Sequence, residues 1–109
     1  SGQSWDAGLL DATLPAEYSL SLAYPNPFNP TTTIDYNVEV AGNVSIVVYD
    51  LIGREIKTLV NEFKSPSNGV YSVMWDGSNN QGNIVASGMY IYRMISNDFT
   101  KVYRLTFMK

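Results

Sequence analysis

Thr33-Ile34-Asp35-Tyr36-Asn37-Val38-Glu39-Val40-Ala41-Gly42-Asn43-Val44-Ser45-Ile46-Val47-Val48-Tyr49-Asp50 is the stretch that sets the fold class. Through Val40 it alternates, with Ile34, Tyr36, Val38 and Val40 on one side and Thr33, Asp35, Asn37 and Glu39 on the other. A period of two is that of a strand with one buried face. Ala41-Gly42-Asn43 supplies a tight turn, and a second strand follows over Val44–Asp50, with Val44, Ile46 and Val48 inward. Outward from this pair the pattern repeats. Leu51-Ile52-Gly53 turns the chain, Gly53 taking a positive φ at low cost. Arg54–Val60 is a third run with Glu55 and Lys57 on an exposed face, and Asn61–Asn68 is polar, contains Pro66 and reads as a loop. Gly69–Asp76 alternates again, aligning Tyr71, Val73 and Trp75 as a core stripe.

Gly77–Gly82 is almost pure turn chemistry. Met89–Ile95 and Phe99–Met108 close the chain as a pair joined by Ser96-Asn97-Asp98. With a short Ser19–Ala23 segment the total is seven strands with turns about every ten residues and no convincing helix. That spacing predicts an all-β antiparallel sandwich. Residues 1–17 have no sustained period and read as a linker or lead-in, loosely held, with the folded domain over 18–109.

Composition narrows function. The chain has 109 residues, of which 45% are hydrophobic, close to ordinary for a globular domain, and only 16% are charged. A formal net charge of -3 argues against nucleic acid as the main partner. No apolar run approaches the ~20 residues that span a bilayer, and no basic start precedes an apolar stretch as in an export signal. There is no Cys, hence no disulfide, thiolate nucleophile or thiolate metal site, and no His, the usual general base and commonest metal ligand. Paired carboxylates are the remaining route to acid–base work. Asp35, Glu39, Asp50 and Asp76 sit on open strands or strand ends, with nothing to enclose them, so an enzyme is not expected.

Four local features stand out. Tyr24-Pro25-Asn26-Pro27-Phe28-Asn29-Pro30 fixes φ three times and removes three donors, so no regular ladder runs through it. It reads as a stiff crossover between sheets, with a docking knob of Tyr24 and Phe28 as the rival reading. Ser87-Gly88-Met89-Tyr90 resembles the Gly-x-Tyr of a tyrosine corner, in which the Tyr90 hydroxyl returns to a backbone carbonyl. Asp76-Gly77-Ser78-Asn79-Asn80-Gln81-Gly82 places oxygen side chains at alternate positions, as Ca2+ prefers. It lacks the Gly position and chelating Glu of an EF-hand, so a polar hairpin loop without cofactor or metal is preferred. Finally, Phe99–Lys109 holds Lys101, Arg104 and Lys109 and no acid, leaving -6 on the remainder. Alternation puts Lys101, Tyr103, Leu105 and Phe107 on one side and Val102, Arg104, Thr106 and Met108 on the other. Cations on a terminal strand either guard an edge against stray pairing or offer a patch to an acidic partner.

Three blocks together resemble a known family. The Tyr24–Ile34 stretch resembles the opening of C-terminal sorting domains (type A) read by the type IX secretion system of Bacteroidetes-related bacteria. Val48-Tyr49-Asp50-Leu51-Ile52-Gly53-Arg54-Glu55 resembles its second block, and Trp75-Asp76-Gly77 with Gly82 and Ser87-Gly88-Met89-Tyr90 its third. The pattern is also similar to the Ig-like domain of flagellar hook-capping proteins. The resemblance spans about Leu14–Lys109 and implies an immunoglobulin-like, fibronectin III-like sandwich behind a larger secreted enzyme or adhesin. It implies recognition by the outer-membrane translocon, through the terminal part with Lys101, Arg104 and Lys109, and removal in many members by a sortase-like peptidase. A cut would fall before Tyr18, where the backbone is unpaired. The protein is then expected to be a monomer, secreted or at the cell surface via the periplasm. The rivals are a carbohydrate-binding accessory module of an extracellular glycoside hydrolase, needing an exposed row of aromatics, and a structural Ig-like spacer.

Overall fold

The computed structural model describes residues 17–67 and 69–109, so the expected lead-in over residues 1–16 lies outside the described residues. Seven strands form: β1 (Ser19–Leu20), β2 (Thr32–Asn37), β3 (Gly42–Tyr49), β4 (Glu55–Lys64), β5 (Tyr71–Trp75), β6 (Gly88–Ser96) and β7 (Phe99–Phe107). They build two antiparallel sheets, ordered β1-β2-β5 and β4-β3-β6-β7. The alternating residues of both sheets meet in one core. Ile34, Tyr36 and Val38 come from the β2 side, and Val44, Ile46, Val48, Tyr92 and Met94 from β3 and β6. The chain is an Ig-like sandwich.

Several boundaries differ from the sequence reading. The polar run Asn61–Lys64, expected as a loop, belongs to β4, because its backbone completes the ladder opposite Gly42–Ser45. β4 is an edge strand, so its polar side chains remain wet and the ladder decides. Ala41-Gly42-Asn43 is no tight turn: Gly42 and Asn43 already lie in β3, and the bend at Glu39–Ala41 carries the chain from one sheet to the other. The alternation therefore ends at Val38, and Val40, expected inside, is exposed. β5 begins at Tyr71 rather than Gly69, whose φ of 107° is incompatible with a strand.

Two register shifts in β3–β4, between Ile46 and Val47 and between Val48 and Tyr49, insert extra residues in β4. These bulges turn Ile56 and Leu59 toward the core, breaking the simple alternation of that strand.

Aromatic packing supplies much of the cohesion expected from composition. Trp75 is fully buried, its ring within 5.3 Å of Phe28, 5.5 Å of Tyr90 and 6.1 Å of Phe107 between centroids. Its indole N–H donates to the Ser78 carbonyl at 2.8 Å, which satisfies the one polar atom the burial would strand. Tyr92 is equally buried and donates its hydroxyl to the Ser21 carbonyl at 2.7 Å, tying β6 to the segment after β1. Burial pushes its pKa up to about 12.

The two ends of the domain also meet. The Tyr18 ring stacks on Phe99 at 5.2 Å, its hydroxyl donates to the Val40 carbonyl, and Asn97 Nδ2 donates back to that hydroxyl at 2.6 Å. Asn97 occupies the left-handed region (φ 51°) of the two-residue β6–β7 turn, a conformation Asn tolerates better than most residues.

Candidate functional site

The sequence marked the terminal strand, and the geometry begins with its backbone. β6 and β7 are joined by Asn97-Asp98 and run from Ser96↔Phe99 to Gly88↔Phe107 without a register shift. In such a two-residue hairpin the closing pair exchanges both hydrogen bonds, so Phe99, Lys101, Tyr103, Leu105 and Phe107 direct their backbone groups to β6. The intervening residues direct theirs outward, to the open side of the sheet. At the far end that side is covered. Phe28 N–H donates to Thr106 O at 3.0 Å, Met108 N–H donates to Phe28 O at 3.1 Å, and Thr106 N–H donates to Asn26 Oδ1 at 2.8 Å.

The proline-rich segment thus does what the crossover reading expects. Tyr24 pairs with Thr33 of the small sheet and Phe28 bridges to Phe107 of the large one. Its peptide bonds before Pro25, Pro27 and Pro30 are all cis. The rival docking knob is corrected here, since Phe28 is 1% exposed, sandwiched between Trp75 and Phe107, and cannot present itself to a partner. Tyr24 is exposed and donates to Asp35 Oδ2 at 2.8 Å, while Ser72 Oγ donates to Asp35 Oδ1 at 2.6 Å. Asn29 flanks Phe28 and is exposed.

The three cations are dispersed along the edge rather than gathered. Lys101 lies beside its own strand, Nζ 5.3 Å from the Tyr103 ring centre. Arg104 is on the opposite face, exposed, and borders a hollow of about 370 Å³ with Leu22, Asn26, Met89 and Tyr103. Lys109 follows the strand, its backbone N–H held by Ser87 Oγ at 2.9 Å. Among the described residues, carboxylates approach only Arg54 (from Asp50) and Lys64 (from Glu62) within ion-pair distance. A second hollow of about 240 Å³ lies between β1 and β7, lined by Tyr18, Leu20, Phe99, Lys101 and Tyr103.

The remaining marked residues are structural. Tyr90, 7% exposed, donates its hydroxyl to the Ala86 carbonyl at 2.6 Å, the return bond expected of a tyrosine corner, with Gly88 at the start of the strand. Gly53 (φ 94°) closes a turn in which its N–H donates to Asp50 O at 3.0 Å. Asp50 organises that turn, a role the sequence reading missed: Oδ1 accepts from the Ile52 and Arg54 N–H groups and Oδ2 from Arg54 Nε. Desolvation pushes its pKa up, but the Arg54 and Ile52 bonds and the guanidinium outweigh that and hold it below the usual value. An Asp three residues before a Gly in a turn is the signal that would have found it.

The oxygen side chains of the Asp76 loop are spent on backbone. Asp76 Oδ1 accepts from Ser78 N–H at 3.0 Å and Ser78 Oγ at 2.6 Å, which lowers the pKa of its carboxyl. Asn79 Oδ1 accepts from the N–H groups of Gln81 and Asn83, and Asn80 Oδ1 from Thr58 N–H across to β4. Among the described residues no three acidic side chains converge as cation ligands would.

Residues 29–98 match the family model of the FlgD Ig-like domain. The chain belongs to that family. As an FlgD Ig-like domain it is 31% identical to FlgD of P. aeruginosa, over 70% of this chain and 58% of that one, with a TM-score of 0.52. PorU of Porphyromonas gingivalis, in its dimeric latent form, superposes with a TM-score of 0.68 at 19% identity over 87% of this chain. PorZ of Porphyromonas gingivalis, described as an essential bacterial surface component of the type-IX secretion system, superposes at 0.55 with 22% identity over 84%. At those identities PorU and PorZ show a shared fold. This chain spans only 10% of PorU and 11% of PorZ. No curated protein matches the sequence.

Proposed function

We propose that this Ig-like domain is a non-catalytic sorting and anchoring module of a secreted multidomain protein, recognised by type IX secretion machinery at the outer membrane. The observation that carries the reading is the terminal edge strand β7, which presents Lys101 and Arg104, with Lys109 beyond it, free of carboxylate partners among the described residues. The three sequence blocks that resemble type IX sorting domains support it, and so does the occurrence of the same fold in a surface component of that system. On this reading the protein travels through the periplasm to the cell surface or beyond, where a sortase-like peptidase is a further partner.

A carbohydrate-binding module would need aromatic faces exposed in a row. Trp75, Tyr36 and Tyr90 are 0%, 2% and 7% exposed, and among the described residues the exposed rings Tyr24 and Phe63 stand on different sheets. The spacer reading differs from sorting in one measurable respect. The whole chain fused behind a periplasmic reporter should carry that reporter to the surface of a bacterium that has the pathway. A reporter that stays periplasmic while the domain folds would leave the spacer as the account.

A further inference from the structure

The covered and uncovered parts of the β7 edge differ sharply. Thr106 and Met108 are bonded by the Asn26–Phe28 segment. Thr100, Val102 and Arg104, on the same side by the two-residue alternation, have no backbone hydrogen bond to that side among the described residues. Edge strands are normally blunted by proline, bulges or a covering loop. The opposite edge of this sheet has such protection: β4 carries two bulges, and Asn80 bonds both Ile56 O and Thr58 N–H. Between Phe99 and Tyr103, β7 has no proline, bulge or covering loop among the described residues, and Lys101 is the one charge there that could guard it. Lys101 rests on Tyr103, and the two hollows described above flank the open stretch, between it and the Tyr18–Asn26 segment.

We propose that the open edge of β7 at Thr100–Arg104 is a strand-addition site for an acidic, extended segment of a partner protein. The outward N–H and C=O groups recur every second residue, about 7 Å apart, which is the repeat of a β-strand and of no compact ligand. A strand laid there would continue the line begun by Phe28. Its side chains would alternate toward the two hollows, with Tyr103 between them, and toward exposed Val102 and Arg104. The sign of the partner follows from Lys101 and Arg104, which have no acid within the strand to neutralise them. The inference rests on the recognition reading of these two cations and specifies how they are read.

The test uses blocked eight-residue peptides alternating Glu and Val, or Lys and Val, titrated into the whole chain and followed by amide NMR shifts and hydrogen exchange. The Glu peptide should shift the Thr100, Val102 and Arg104 amides and slow their exchange at least tenfold. The Lys peptide should bind at least tenfold more weakly. Val102→Pro removes an outward N–H and no ladder bond, so it should abolish the slowing; Arg104→Glu should weaken binding tenfold or more should the proline variant fail to fold. Shifts centred elsewhere, equal binding of both peptides, or unchanged exchange at the three amides would overturn the proposal. So would amides already protected in the free chain, whether by a second copy or by residues 1–16. Export is read separately: a reporter that reaches the surface with no peptide response sinks strand addition alone, and a peptide response without export sinks sorting alone.

Discussion

Gly77 offers the sharpest test of the sandwich as described. It is buried at φ 80°, and a Cβ built on it would lie 2.6 Å from Phe107 Cζ and 2.9 Å from Cε2. Gly77→Ala therefore meets two costs. The left-handed backbone costs an L-residue about 1–2 kcal/mol, and overlap with a ring already wedged between Phe28 and Trp75 costs about 1–3 kcal/mol. Loss of unfolded-state freedom returns about 0.4–1 kcal/mol. The net is a destabilisation of about 2–4 kcal/mol, or roughly 10–25 °C in Tm for a domain of this size. Gly53→Ala is the internal control, because Gly53 sits at φ 94° with nothing within 4 Å of the added atom. It should lose only about 1 kcal/mol, the backbone part. Urea unfolding of both variants, compared at constant m-value, reads the difference directly. A double-mutant cycle with Phe107→Leu should return a coupling energy of at least about 1 kcal/mol for Gly77 and none for Gly53. Equal losses at the two glycines would refute the contact between the Asp76 loop and the end of β7.

Tyr90→Phe should cost about 0.5–1.5 kcal/mol in the same assay, the net worth of its bond to the Ala86 carbonyl; an unchanged midpoint would remove the tyrosine corner. Phe28→Ala should cost about 3–5 kcal/mol and loosen the Asn26–Phe28 cover, raising exchange at the Thr106 and Met108 amides, and a small loss would mean the crossover is not anchored by that ring. Asp50 and Asp76 both have folded pKa values below their unfolded ones, so the stability they add is present above the unfolded value near pH 4 and is lost as pH falls through the folded values. Thermal melts between pH 6 and 2 should show that acid limb, and it should flatten in an Asp50→Asn, Asp76→Asn double variant. Tyr92 acts at the other extreme. Its folded pKa of about 12 lies above the unfolded value near 10, so stability should fall between those pH values, and Tyr92→Phe should lessen that slope.

Fold class was readable because each strand buries one face, and the period of two survives wherever a ladder continues. Ile34, Tyr36, Val38, Val44, Ile46 and Val48 all lie inside, as alternation requires. It failed where pairing rather than side-chain character decides. Asn61–Lys64 look like a loop and are a strand, because β3 offers them a ladder; Val40 looks buried and is not, because the chain has already left the sheet. The tyrosine corner was legible from Gly88 and Tyr90, since its bond spans four residues. The bonds that define the terminal edge were not. Asn26 meets Thr106 across 80 positions and Ser87 meets Lys109 across 22, and neither side chain carries any local mark of its distant partner. The cations of β7 were visible by composition, and alternation already put Lys101 and Arg104 on opposite faces, while the resting of Lys101 on the Tyr103 ring became visible only in the fold.

The meeting of Tyr18 with Phe99, Asn97 and Val40 bears on mechanics. β1 contributes only two residues to its sheet, too few to resist a pull transmitted along the chain into Glu17. Tyr18 diverts that load, through its stacked ring and its two-way hydroxyl, onto the β6–β7 turn and the bend before β3. Tension on the entering chain is thus shared between both layers before β1 starts to peel, and the tip of the final hairpin serves as the domain's strain relief.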